Sequence, residues 1–390
     1  MTGDDGLGCA ALLAGLPGMG PGRLRALVHT WGPVEAWARA TSGRADRLSP
    51  VLEAPDPPLA FDGWSMPQDP SPVVRSWAAA GLGADPHATL AAHRAAGVLV
   101  LLEDDERYPE PLRTDLAPPA VLFAQGSLAQ LEAPRAAIVG TRRCTGVGAG
   151  MARELGRELA LAGVAVVSGL ALGIDGAAHR GVLDGLGRAA DTAAGPAAVV
   201  GSGLDVVYPS RHRELWGAVR DHGLLLSEAP LGTRPAPWRF PARNRLIAAL
   251  ADVVVVVESH ITGGSLLTVG EAERRDVPVL AVPGSVRSPA AAGTNHLLAD
   301  GCHPVRDVTD VLVALGLTPA ARRRPAEHRP TPDPAGTAVL DAFDWEPATL
   351  EHLAVRTNLP LGDLVLAVER LVADGWVRVD GGWYERVAVA

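Results

Sequence analysis

Between Ala136 and Val282 the chain alternates short, wholly apolar runs with stretches of amphipathic spacing. The runs are A-A-I-V (136–139), V-A-V-V (164–167), A-A-V-V (197–200), L-L-L (224–226), V-V-V-V-V (253–257) and V-L-A-V (279–282). Most are rich in β-branched residues and none alternates with polar positions, the pattern of strands covered on both faces. Helical periodicity returns between them, as in Ala149–Ala162 and Ala242–Ala251. Repeated strand–helix units predict an α/β fold built on a doubly wound, mostly parallel sheet. Ligands on such sheets sit beyond the carboxyl ends of the strands.

The pattern changes on either side of this core, and a chain of 390 residues has room for two or three domains. The reading is a helical domain over 1–85, the sheet domain over 86–317, a linker over 318–334 and a last domain over 335–390. Leu12 to Trp31 reads as two helical stretches joined by a glycine-rich turn. That is either a helix-hairpin-helix, offering backbone N–H groups at a helix start to a phosphate, or a plain α-hairpin packed on its neighbour. Ser42 to Asp85 is rich in Pro, Gly and Asp and has little periodicity, and Thr318 to Pro334 reads as exposed chain. At the end, 349–356, a T-N-L-P turn, 361–373 and a hairpin pairing Trp376–Val379 with Trp383–Val387 make a winged-helix pattern. From Ala335 onward nine acids face four arginines, so duplex phosphates would be repelled. This piece is expected to contact protein or to serve the structure.

Composition removes several chemistries. All 35 Lys+Arg positions are arginine, so the lysine of a phosphate loop, Schiff-base chemistry and pyridoxal attachment are unavailable. Cys9, Cys144 and Cys302 are odd in number and unpaired in spacing, which predicts reduced thiols with neither a disulfide framework nor a metal site. No cofactor is expected. No apolar run approaches the roughly 20 residues that span a bilayer, and the first residues carry neither a basic region nor an apolar stretch, so the expectation is a cytoplasmic protein away from membranes.

Net charge is −9, but its distribution is uneven. Between Pro209 and Ile247 seven arginines, among them Arg211, Arg243 and Arg245, stand against three acids. Trp238 and Phe240 lie in the same stretch, and planar rings beside guanidinium forks suit unpaired bases and phosphates. The segments after the strands are small and anion-friendly. Gly140, Thr141, Arg142 and Arg143 precede a helix entered through Gly146 and Gly148, where an anion could meet backbone amides. Ser168 and Gly169 open the loop to Asp175, with His179, read as structural, one turn on. Gly263, Gly264, Ser265 and Thr268 form another pocket of amides and hydroxyls, and Asn295 lies in a further loop.

These residues together resemble the DNA-processing protein A family, DprA or Smf. The resemblance runs through 95–312. It is carried by Y-P-x-x-L at Tyr108–Leu112, G-T-R at Gly140–Arg142, S-G-L-A-x-G-I-D at Ser168–Asp175, S-E-x-P-x-G at Ser227–Gly232, F-P-x-R-N-R at Phe240–Arg245, G-G-S-L-x-T at Gly263–Thr268 and G-T-N at Gly293–Asn295. It implies an extended Rossmann-like domain that binds single-stranded DNA, forms a homodimer and helps load RecA recombinase in natural transformation. The small N-terminal domain is then helix-hairpin-helix or SAM-like. Carried over position by position, Arg142, Phe240, Arg243, Asn244 and the Gly263–Ser265 loop hold the strand. The chain departs from the family in having arginine where lysine is frequent, in an insertion at Arg188–Pro196, and in Leu246–Ala251, where glycine and serine are usual.

A rival reading is an enzyme. Gly263–Thr268 followed by Glu271 also looks like the phosphate loop of Rossmann-like nucleotide phosphoribohydrolases, with Asp175, Glu228 and Glu258 as further carboxylates. No spacing isolates an acid–base pair among them, so no catalytic residue is assigned. A dinucleotide-dependent oxidoreductase fails on an incomplete glycine fingerprint and on the lack of an acid about twenty residues further on. A winged-helix transcription regulator fails on the acidic tail.

Overall fold

The six apolar runs become strands of one sheet in a computed structural model of the chain, which describes residues 3–48, 71–188, 193–318, 329–343 and 347–387. The strands are β1 (Leu99–Leu101), β2 (Leu122–Gly126), β3 (Arg135–Val139), β4 (Ala165–Ser168), β5 (Pro196–Val199), β6 (Leu224–Ser227), β7 (Val253–Val256), β8 (Val279–Ala281) and β9 (His303–Pro304). Their order is β1-β2-β6-β5-β4-β3-β7-β8-β9. From β6 to β9 all neighbours are parallel, whereas β2 pairs antiparallel with both β1 and β6. Strands β3 to β7 run fully buried apart from Arg135, as their apolar composition requires. The chain winds outward from β3 to β6, then returns to lay β7 against the other side of β3. The strand order therefore reverses between β3 and β7, and a crevice opens beyond their carboxyl ends.

Helices cover both faces. Four come first: α1 (Asp4–Ala14), α2 (Pro21–Ala40), α3 (Ser71–Gly81) and α4 (Pro86–Ala95). Within and after the sheet come α5 (Glu110–Arg113), α6 (Gly146–Leu161), α7 (Ile174–Leu186), α8 (Arg213–His222), α9 (Arg239–Leu250), α10 (Ser265–Glu273), α11 (Ala292–Ala299) and α12 (Val308–Ala314). Helices α6 and α7 touch backbone to backbone, because a Cβ on Gly181 would lie 1.9 Å from the Arg153 carbonyl oxygen and one on Gly156 2.2 Å from that of Ala178. The hairpin read at Leu12–Trp31 is α1 and the first part of α2. Helix α2 then breaks at Gly32, whose φ of 72° precedes Pro33.

Packing divides the chain once, into Met1–Pro319 and Ala320–Ala390. The boundary expected at residue 85 has no counterpart in the core. Leu13, Leu24 and Leu27 of the first two helices, with Leu16 between them, share one cluster with Phe123, Ala198 and Leu225 of the sheet. The Pro- and Gly-rich stretch also contains α3, which buries Val74 and Trp77 and lets the Trp77 indole N–H donate to the Pro17 carbonyl at 2.8 Å. Residues 49–70, 189–192 of the insertion and 319–328 of the expected linker lie outside the described residues.

The second unit comprises α13 (Pro334–Ala342), α14 (Leu350–Thr357), α15 (Leu361–Ala373) and a hairpin of β10 (Val377–Asp380) with β11 (Trp383–Arg386). Helix α14 ends where Asn358 turns left-handed at φ 53°, a conformation asparagine tolerates, so the T-N-L-P segment separates two helices. Val339, Phe343, Leu353, Leu364 and Val368 form its own core. Among the described residues no helix is long and apolar enough to cross a membrane.

Candidate functional site

At the strand reversal lies an open cleft of about 780 Å³. The turn after β3 supplies Gly140, Thr141, Arg142 and Arg143, the first two turns of α9 supply Phe240, Arg243 and Asn244, and the start of α10 supplies Gly263, Gly264, Ser265 and Thr268. Three segments far apart in sequence meet because the reversal brings the ends of β3 and β7 side by side, while α9 packs on β3, β4 and β5.

The cleft is positive. Arg142, Arg143 and Arg243 line it against a single acid, Asp175. Arg142 and Arg143 are exposed and join no ion pair among the described residues. The Arg142 guanidinium carbon stands 5.1 Å from the centre of the Phe240 ring, and the Tyr208 ring packs on Phe240 at 5.3 Å. A planar cation and an aromatic face therefore lie together beside open space. At the opposite wall the Gly264 and Ser265 amides make no backbone hydrogen bond among the described residues. Such uncommitted amides at a helix start attract anions.

Arg243 forms the floor. It is only 7% exposed, and it donates to the Val199 carbonyl. Burial pulls its pKa down to about 10, the nearby Asp175 opposing that shift and Arg142 adding to it. Burial likewise pushes the Asp175 carboxyl up, against the pull of Arg243. Space for the guanidinium exists because residue 169 is glycine, where a Cβ would lie 2.1 Å from both terminal nitrogens of Arg243.

Five residues expected at the site do not line the cleft. The Ser168 hydroxyl is buried and donates to the Ile138 carbonyl at 2.6 Å, and Gly169 lies beneath Arg243. Arg211 is exposed in a 3-10 turn outside the cleft. Asn295 is committed to Gly284, donating to its carbonyl at 3.0 Å and accepting from its amide at 3.2 Å. Arg245 is buried, ion-paired with Glu228 and donating to the Ala117 carbonyl at 2.7 Å. Two residues on from Arg243, it lies about 200° around the helix and so faces the interior. Tyr208, His260 and Thr262 line the cleft without having been singled out as site residues. Tyr208 was the most accessible of these from sequence, standing as a rare tyrosine immediately before the arginine-rich stretch.

The anion expected at the start of α6 turns out to be the protein's own. The Glu258 carboxylate, just past β7, accepts from the Thr145 amide at 2.9 Å and from the Thr145 hydroxyl at 2.5 Å. Glu271, a candidate carboxylate of the enzymatic reading, is held by Arg274 and Arg275 and lines a separate, smaller pocket. His179 is fully buried, and burial pushes its pKa down to about 3, so the ring is neutral, as a structural residue would be. No cluster of three or more metal-ligating side chains occurs among the described residues.

A sequence model of the family described as DNA recombination-mediator protein A matches residues 99–316. The chain is 31% identical to Protein Smf of Synechocystis sp. over 77% of this chain and 83% of that protein. It is 37% identical to the DNA processing protein DprA of Bacillus subtilis over 58% of this chain and 74% of that one. Among solved structures, DNA processing protein A from Streptococcus pneumoniae superposes with a TM-score of 0.59 at 27% identity, covering 80% of this chain and 98% of that one. DNA processing protein A from Helicobacter pylori, whose single-stranded DNA binding mode its structure addresses, gives 0.50 at 29% identity, covering 56% and 95%. With the family's pattern running through the whole sheet, from β1 past α12, this chain belongs to the DNA recombination-mediator protein A family.

Proposed function

We propose that the chain is a DNA-processing protein that binds single-stranded DNA in the cleft between β3 and β7, and that it works by binding rather than by catalysis. The observation that carries this reading is the Arg142–Phe240 pair, a guanidinium beside an aromatic face. Arg143 shares its cleft, as do the Gly264 and Ser265 amides, which make no backbone hydrogen bond among the described residues. An unpaired base stacks on Phe240 while phosphates run along Arg142, Arg143 and the α10 start. Neither contact reads base edges, so binding tolerates many sequences. In keeping with the family, the chain acts in the cytoplasm as a homodimer and passes the bound strand to RecA recombinase during natural transformation.

Fluorescence anisotropy with labelled single-stranded and duplex oligonucleotides across a salt series tests this. The single strand should bind more tightly, with log affinity falling by roughly 0.7 per phosphate contact for each tenfold rise in salt. Phe240→Ala should lower single-strand affinity by about tenfold, the lower range for one stacked base. Equal affinity for duplex and single strand would reject the assignment.

The second unit fits a winged helix that contacts protein or serves the structure, and the α1–α2 pair, packed on the sheet's core, fits a plain α-hairpin on its neighbour. Because Met1–Pro319 holds the cleft and its own core, a chain ending at Pro319 should keep single-strand affinity within about twofold, as expected when an acidic module contributes no phosphate contacts. A loss of tenfold or so on removing the second unit would place part of the strand there.

A further inference from the structure

In a doubly wound fold the helix start after the first parallel strand is where a mononucleotide or dinucleotide places its phosphate. Here that position is the turn from β3 into α6, and it is occupied. Glu258 is 9% exposed, and both of its carboxylate oxygens are engaged by Thr145. Its own carbonyl accepts from the Thr141 amide at 2.8 Å. The fit leaves no slack, since a Cβ on Gly148 would lie 2.3 Å from the Glu258 carboxyl carbon. At the same helix start the Gly146 and Val147 amides make no backbone hydrogen bond among the described residues. Its side chain and backbone thus clasp the 140–145 turn at both ends, and that turn carries Arg142 and Arg143 into the cleft.

We propose that Glu258 is a built-in substitute for a nucleotide phosphate. By filling the α6 position it excludes free nucleotides from the turn that a related fold would use to hold them. By clasping that turn it positions Arg142 and Arg143 for the phosphates of a strand. The second half of this inference rests on the single-strand reading, whereas the first does not. A carboxylate suits the task because it accepts the same N–H and O–H donors as a phosphate oxygen, yet it is tethered and never dissociates.

The test uses the full chain and two probes, inorganic phosphate by isothermal titration in phosphate-free buffer and a labelled single-stranded oligonucleotide by anisotropy. Glu258→Ala vacates the position. It should bind inorganic phosphate at least about tenfold more tightly than the parent and bind the oligonucleotide about tenfold more weakly, the size expected for losing charge-assisted hydrogen bonds that hold a loop. A merely structural role for Glu258 would not create phosphate affinity. Gly148→Ala provides a second route, because alanine suits a helix while its methyl group displaces the carboxylate, and it should weaken oligonucleotide binding by a similar factor. A folded Glu258→Ala chain with unchanged phosphate affinity would overturn the exclusion, and unchanged oligonucleotide affinity in both variants would overturn the positioning role. If the parent chain binds no oligonucleotide, the strand-binding reading falls, while the phosphate titration still decides whether Glu258 occupies an anion position.

Discussion

Replacing Arg142 and Arg143 together by alanine is expected to cost roughly a hundredfold in single-strand affinity at low salt, about one power of ten for each charge-assisted phosphate contact removed. The dependence on salt should flatten as well, the slope of log affinity against log salt shrinking by about 1.4, because two fewer phosphates are neutralised. Stability should hardly change. Both side chains are exposed, neither joins an ion pair among the described residues, and the turn that carries them is clasped through backbone groups and Thr145 rather than through the guanidiniums. The combination is diagnostic. A general loss of positive surface would lower affinity for duplex and single strand alike, whereas loss of the Arg142–Phe240 pair should fall mainly on the single strand, whose bases are free to stack. Unchanged single-strand affinity in this double variant would remove the cleft from consideration.

What could be read from sequence tracks what is written locally. The buried strands were legible because an apolar run such as V-V-V-V-V leaves only one comfortable place for itself, between two layers of helices. Strands β1 and β9 are three and two residues long and carry no period to detect. The antiparallel attachment of β2 to β6 follows from pairing, which local pattern does not encode. The same limit explains the N-terminal helices. Leu13 and Leu27 show the spacing of a buried face, but that spacing is identical whether the face closes on a domain of its own or, as here, on Phe123 and the sheet. The glycine-rich turns of the site were legible as turns, and two of them, at Gly140 and at Gly263–Gly264, do converge. The identity of the anion at α6 was not, because Glu258 reaches Thr145 only through the placement of β7 beside β3, more than a hundred residues away in the chain.

The helical phase of F-P-x-R-N-R was, by contrast, available from sequence and decides the second large effect. Arg243 and Arg245 both looked like phosphate ligands, yet residues two apart on a helix point about 200° from one another, and only one of them can face a cleft. Arg245→Ala is therefore expected to destabilise the fold by about 3–5 kcal/mol, the range for breaking a buried ion pair from one side. The side chains of Arg245 and Glu228 are 4% and 14% exposed. Alanine at 245 would take this guanidinium from the Glu228 carboxylate and leave the Ala117 carbonyl without its donor. Removing both charges in an Arg245→Met, Glu228→Leu double variant should cost much less than the single change, since neither half of the pair is then left in the interior without the other. Urea unfolding of the three chains measures this, and anisotropy under conditions where each is folded separates stability from binding. Single-strand affinity per folded molecule should stay near the parental value in Arg245→Ala. A variant that unfolds at the parental urea midpoint but binds DNA poorly would move Arg245 from the core to the cleft and reverse the division of labour argued for these two arginines.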